Sequence, residues 1–210
     1  MEPICAQSIR FSEFYDLNNG AGGFLDIVDL SDTGFVAVGS ALNLTDNHGY
    51  SDGFHVRTHI DGGFIQTTGF SEPEVSNNTQ AVIKSNFSNA IYSSGYRCDF
   101  NVSGESYCDF FFSQLSEDGD TLLTNIIERP DTSDFLLNMV ETRPNKILLL
   151  GWTYDDTTNA DADLLFITVD TLGNELNRVV WGGGGTDYVH SAIVINENGE
   201  TLMTGYTKSF

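Results

Sequence analysis

Residues 134–181 read DFLLNMVETRPNKILLLGWTYDDTTNADADLLFITVDTLGNELNRVVW. Four short apolar runs are separated by turn signals. The first, 135–142 (FLLNMVET), stops at Arg143-Pro144-Asn145, where Pro and Asn suit a tight turn. The second, 146–153 (KILLLGWT), enters the acidic loop Tyr154 to Ala162. The third, 163–170 (DLLFITVD), is joined through Gly173-Asn174 to the fourth, 174–181 (NELNRVVW). Runs this short, rich in Val, Ile, Leu, Phe and Thr and bounded by Gly, Asp or Asn, are strands. No window holds a convincing helical stripe.

The same unit recurs along the chain. Glycines after an apolar run fall at Gly39, Gly95, Gly151 and Gly205, spaced by 56, 56 and 54 residues. An Asp opening the next run falls at Asp52, Asp109 and Asp163. Turn glycines are expected at Gly63, Gly119 and Gly173. Three landmarks in one order and one period define units at about 24–70, 77–130 and 134–181, with a partial unit at 187–210. Ile9 to Tyr15 reads as the outer strand of a preceding unit. A four-stranded antiparallel sheet repeated at this period is the pattern of a β-propeller blade, and such a sheet buries its faces only by stacking on its neighbours. The expectation is an all-β, single-domain propeller or propeller fragment with about three full blades. On this reading the remaining blades belong to a larger chain.

The last unit adds a resemblance. WGGGGTDYVHSAIVINENGETLMTGYTKSF, with Gly182 to Gly185, Asp187, Gly199, Gly205, Thr207 and Ser209, resembles the repeat of bacterial secreted β-propeller proteins, as does VDTLGNELNRVVWGGGG before it. The second unit departs from that pattern, since SNFSNAIYSSGYRC lacks the Asp-Gly turn. The resemblance implies a propeller and a secreted or cell-surface setting, and it supplies no catalytic residues.

Composition narrows the function. Thirty acidic residues against nine basic ones give a net charge of −21. That excess disfavours nucleic-acid backbones and anionic membrane surfaces, which call for Lys/Arg clusters. No apolar run approaches the roughly 18–20 residues of a membrane-spanning helix, so membrane insertion is not expected. The N-terminus, MEPICAQSIRF, shows no intact signal peptide. Four N-x-S/T triplets, at Asn43, Asn77, Asn86 and Asn101, are ordinary for a chain this rich in Asn, Ser and Thr. Cys98 and Cys108 sit on the two shoulders of one hairpin loop, on antiparallel neighbours, and are expected to form a disulfide; Cys5 is left over.

Sites of chemistry are few. Asp155, Asp156, Asp161 and Asp163 offer clustered oxygens for Ca²⁺, although the order of an EF-hand loop is absent and a solvated turn is the competing reading. Asp52, Asp109 and Asp163 open corresponding strands, where a carboxylate ordinarily accepts backbone N–H groups of its loop. Tyr96, Trp152 and Tyr206, each next to a repeat glycine, either stack on sugars or pack between blades. His48, His55, His59 and His190 form no zinc motif. SEDGDT at 116–121 lacks the spacing of a sialidase Asp-box, and the arginines do not recur in register. The glycine run 182–185 has no GK[ST] and precedes a strand. The expected function is therefore a non-enzymatic extracellular scaffold for protein or glycan adhesion. The alternative is a polysaccharide-processing hydrolase or lyase with its site in the propeller cleft.

Overall fold

The computed structural model describes residues 22–42, 50–70, 72, 74–100, 106–130, 132–155 and 161–209. The leading segment 9–15 and Cys5 lie outside them. The chain is all-β, as expected, and builds its sheets in sequence order. The first holds β1 (Gly22–Asp29), β2 (Phe35–Leu42), β3 (Ser51–Thr58) and β4 (Phe64–Phe70). The second holds β5 (Val75–Lys84), β6 (Ile91–Phe100), β7 (Ser106–Leu115) and β8 (Thr121–Ile127). In the third are β9 (Thr132–Arg143), β10 (Lys146–Asp155), β11 (Asp163–Val169) and β12 (Glu175–Trp181). A hairpin of β13 (Asp187–Val194) and β14 (Thr201–Thr207) comes last. Neighbours are antiparallel and follow chain order throughout. Among the described residues the only helical element is a 3₁₀ turn, Ser31–Thr33, and no helix is long and apolar enough to cross a membrane.

Each sheet buries its faces on the next. Val36 and Val38 meet Val82, Ile91 and Leu115 between the first and second sheets. Phe110, Phe112 and Ile127 meet Leu136, Leu149, Leu165 and Ile167 between the second and third. Leu150 meets Val189 and Ala192 against the hairpin. Strands covered on both faces explain the nearly continuous apolar runs.

The repeat glycines have a shared steric cause. Gly39, Gly95, Gly151 and Gly205 pair with Phe24, Thr79, Leu136 and Val189 of the preceding strand, and in every pair the register slips by one residue immediately afterwards. A Cβ at each glycine would fall closer than 3.0 Å to the carbonyl oxygen of Gly23, Asn78, Phe135 or Tyr188, respectively. The β-bulge that kinks each first strand thus brings its backbone onto a position only glycine can occupy.

The turn glycines lock successive sheets together. Gly62, Gly119, Gly173 and Gly199 have positive φ and close equivalent turns. In the first sheet the residue in this role is Gly62, not Gly63, because Gly62 N–H donates to His59 as Gly119 does to Ser116. Each later turn is held by a polar side chain of the preceding sheet. Gln66 Nε2 donates to Asp118 O at 2.7 Å, Asn125 Nδ2 to Gly173 O at 2.9 Å, and Arg143 Nε to Asn198 O at 2.7 Å.

Strand β3 departs from its sequence pattern. Phe54 and Val56 alternate with His55 and Arg57 like a half-buried strand, yet all four are buried and the strand ends at Thr58. The second sheet covers the polar side. Arg57 there donates to the carbonyls of Glu117 at 3.0 Å, Thr33 at 2.9 Å, Phe35 at 3.3 Å and Thr58. Asn77 is also buried, so that triplet is closed to glycosylation in the folded chain.

Cys98 and Cys108 are directly opposed on β6 and β7 and form the disulfide, their Cα atoms 4.0 Å apart. They are 10 positions apart in sequence, so opening the loop is expected to cost about 2.7 kcal/mol on the chain-entropy account. Urea unfolding with and without dithiothreitol measures this, and coincident curves would show that the bridge contributes nothing.

Candidate functional site

The first strand of every sheet lines one cavity of about 490 Å³. Val28 comes from β1, Val82 and Lys84 from β5, Val140 from β9, and Ala192 and Val194 from β13. Strands far apart in sequence meet here because each sheet stacks with its first strand toward the same side. The wall is mainly aliphatic. Its polar groups include Lys84, Asn86, Glu141, Thr142, Asn196 and Glu197. Glu141 is buried, and its carboxylate holds the neighbouring loop: Oε1 accepts from Ser85 Oγ at 2.9 Å and Oε2 from Asn86 N at 2.7 Å. Both oxygens of Glu141 therefore position that loop. The cavity thus combines an aliphatic wall with a few polar side chains.

The acids singled out in the sequence lie elsewhere. Asp161 and Asp163 border a second depression of about 340 Å³, with Arg129, Thr132, Thr153 and Tyr154. Burial pushes the Asp163 carboxyl upward, and the charges of Asp187 and Asp161 add to the rise. Its Oδ1 is buried without a hydrogen-bond partner among the described residues. Asp156 and the side chain of Asp155 lie outside those residues. Among the described residues no three His, Cys, Asp or Glu side chains converge to hold a metal ion.

Other carboxylates have structural partners. Asp109 Oδ1 accepts the Arg129 backbone N–H at 2.9 Å, a donor from the connection between β8 and β9 and not from its own loop as expected, and Asp109 lies inside β7 instead of opening it. The Arg129 side chain then pairs with buried Asp134 at 3.1 Å. Asp134 is pushed upward, by burial first, with Thr153 and Arg129 opposing. Asp187, buried in the last hairpin, accepts from Ser209 Oγ at 2.6 Å and Lys208 N at 3.2 Å. Hydrogen bonds from the hydroxyls of Ser209 and Thr207 hold its carboxyl below the usual range. These bonds are the physical content of the Asp187…Thr207-Lys208-Ser209 pattern.

Tyr96, Trp152 and Tyr206 belong to one aromatic series that crosses from sheet to sheet. Tyr96 packs edge-on to Phe135 at 5.0 Å, Phe135 stacks on Trp152 at 5.3 Å, and Trp152 packs edge-on to Tyr188 at 5.1 Å. Tyr188 then meets Tyr206 at 5.2 Å. Tyr96 and Trp152 are half-buried in this series, whereas Tyr206 is exposed at its end. Sequence reasoning missed the intercalating rings Phe135 and Tyr188, although both stand one residue before the partner of a repeat glycine. It also missed the cavity lining, which no local signal marks. Comparison of the sequence with protein-family models and with curated proteins gives no match.

Proposed function

We propose that the chain is a set of β-propeller blades serving as a non-enzymatic, extracellular scaffold that binds a protein or glycan ligand at the axial cavity. The observation that carries this reading is the convergence of all four first strands on one cavity, as radial stacking of blades requires. The Cys98–Cys108 disulfide and the acidic surface support an oxidising, extracellular setting. The engagement of Glu141 in loop positioning favours binding over hydrolysis.

A glycan array, followed by a reducing-sugar release assay on any glycan retained, tests the reading. Retention without turnover is expected. Ile193→Glu, which puts a charge on an exposed cavity residue, is expected to weaken retention at least tenfold. Sugar release abolished by Glu197→Gln would establish the hydrolase alternative instead.

A further inference from the structure

The joint between the first and second sheets differs in kind from the next one. Between the second and third sheets the rings of Tyr92, Phe110 and Phe112 pack with Leu136, Leu149 and Ile167. Between the first and second the cluster is aliphatic, with Val36 and Val38 on Val82, Ile91 and Leu115, and polar side chains are buried beside it. His55 of β3 is 1% exposed, and Thr79 and Ser93 of the second sheet are 0% exposed. His55 Nε2 lies 3.0 Å from Ser93 Oγ. Thr79 backs onto Gly53 of β3, where a Cβ would fall 2.6 Å from the threonine hydroxyl oxygen. Asn77, two residues before Thr79 on the same face of β5, is buried as well. Among the described residues His55 Nδ1, Thr79 Oγ1 and Asn77 Nδ2 are buried without hydrogen-bond partners. Unsatisfied polar atoms hold a joint less firmly than apolar packing does.

The imidazole has no anion placed to receive a second proton. Its paired strands, β2 and β4, carry no titratable side chain. The other elements around it bring Asp26 on β1, Lys84 on β5, Arg97 and Asp99 on β6, and Asp109 on β7, besides Tyr92 and Tyr96. The carboxylates have other partners: Asp26 accepts from Val82 N at 2.9 Å, Asp109 from Arg129 N, and Asp99 from Arg97. On β3 itself Asp52 opens toward the loop end, and Arg57, two residues along the face of His55, donates to backbone carbonyls. A charge on His55 would stand unpaired inside the joint, on the same face as the Arg57 cation.

We propose that this joint is an acid-operated latch, in which protonation of His55 frees the first sheet from the second while the second and third stay packed. A blade-like sheet that has lost its neighbour cannot bury its faces, so the freed sheet loses its own order. Burial lowers the His55 pKa from 6.5 to about 4, which favours opening by about thirtyfold between pH 7.5 and pH 5. Asp26 and Asp109, raised by burial, act against it and reduce the net effect. The latch operates whether or not a ligand occupies the cavity between the first strands.

Hydrogen exchange of the whole chain, read by mass spectrometry at pH 7.5 and pH 5 and corrected for intrinsic rates, tests the latch. Protection over β2 and β3 is expected to fall about tenfold or more, with protection over β10 and β11 unchanged. His55→Phe is expected to abolish the fall. His55→Gln, neutral and still able to bond Ser93, is the second variant if circular dichroism shows that the first does not fold. Unchanged protection over β2 and β3 would overturn the proposal. So would an equal loss over β10 and β11, which marks acid unfolding of the whole chain, or a fall that persists in a folded His55 variant.

Discussion

Replacing Gly151 with alanine is expected to destabilise the fold by about 3 kcal/mol, at the upper end of ordinary overpacking penalties. The added methyl would meet the Phe135 carbonyl oxygen of the neighbouring strand and the Phe110 ring of the neighbouring sheet, each closer than 3.0 Å. The carbonyl is backbone, pinned by the bulge at Leu137, where β9 and β10 change register. Phe110 is fully buried among Phe112, Leu136 and Leu149, so it has little room to retreat. Relief would require opening the bulge, which shifts the alternation of β9 and turns core residues outward. Gly184→Ala is the matched control, because a Cβ there has nothing within 4 Å. It is expected to change stability by less than about 0.5 kcal/mol. Denaturant unfolding of the two variants decides the matter. A Gly151→Ala loss below about 1 kcal/mol would mean that the bulge is not the reason for the glycine.

This steric rule explains why the strand plan was legible in the sequence and why its geometry was not. Glycine at a fixed period leaves a visible mark, and so does Asp163 at the start of β11, whereas Asp109 falls inside β7, which begins at Ser106. The opposed cysteines were legible for the same reason, since neighbouring strands joined by one loop leave little freedom of register. The bulge residues Leu25, Gln80, Leu137 and His190 have no side-chain chemistry common to all four, because what recurs there is backbone shape. Hence the close approach is written only on the glycine side of each pair. The turn in the first sheet shows the same limit: Gly62 and Gly63 are indistinguishable by composition, and only the hydrogen bond to His59 selects the first. The cavity between the first strands had no sequence mark at all. Its walls are ordinary strand residues such as Val28, Val82, Val140 and Val194, which become a site only when four sheets place them side by side. β3 shows a related limit. His55 and Arg57 look like an exposed polar face until the second sheet closes over them.

Acidification is expected to weaken the fold through His55. The imidazole is 1% exposed between the first two sheets, with Phe70 edge-on at 4.8 Å and Ser93 Oγ at 3.0 Å from Nε2. Burial disfavours its charged form and lowers its pKa from 6.5 to about 4. The folded chain therefore binds this proton less readily than the unfolded chain does. The contribution of the neutral ring to stability is complete above about pH 6.5, declines as the pH falls toward 4, and is constant below that; a difference of this size corresponds to about 3 kcal/mol. Asp26, Asp109, Asp134 and Asp163 act in the opposite sense, because burial raises each of them and the fold takes up their protons more readily. Comparison with a His55→Phe variant isolates the histidine, since these carboxylates are common to both chains. The variant forfeits the bond to Ser93, so its absolute stability is expected to fall, but its loss between pH 7 and pH 4 should be about 3 kcal/mol smaller than that of the unaltered chain. Urea unfolding across that range measures the difference in slope. Parallel pH profiles would show that His55 titrates normally and that the space around it is open to water.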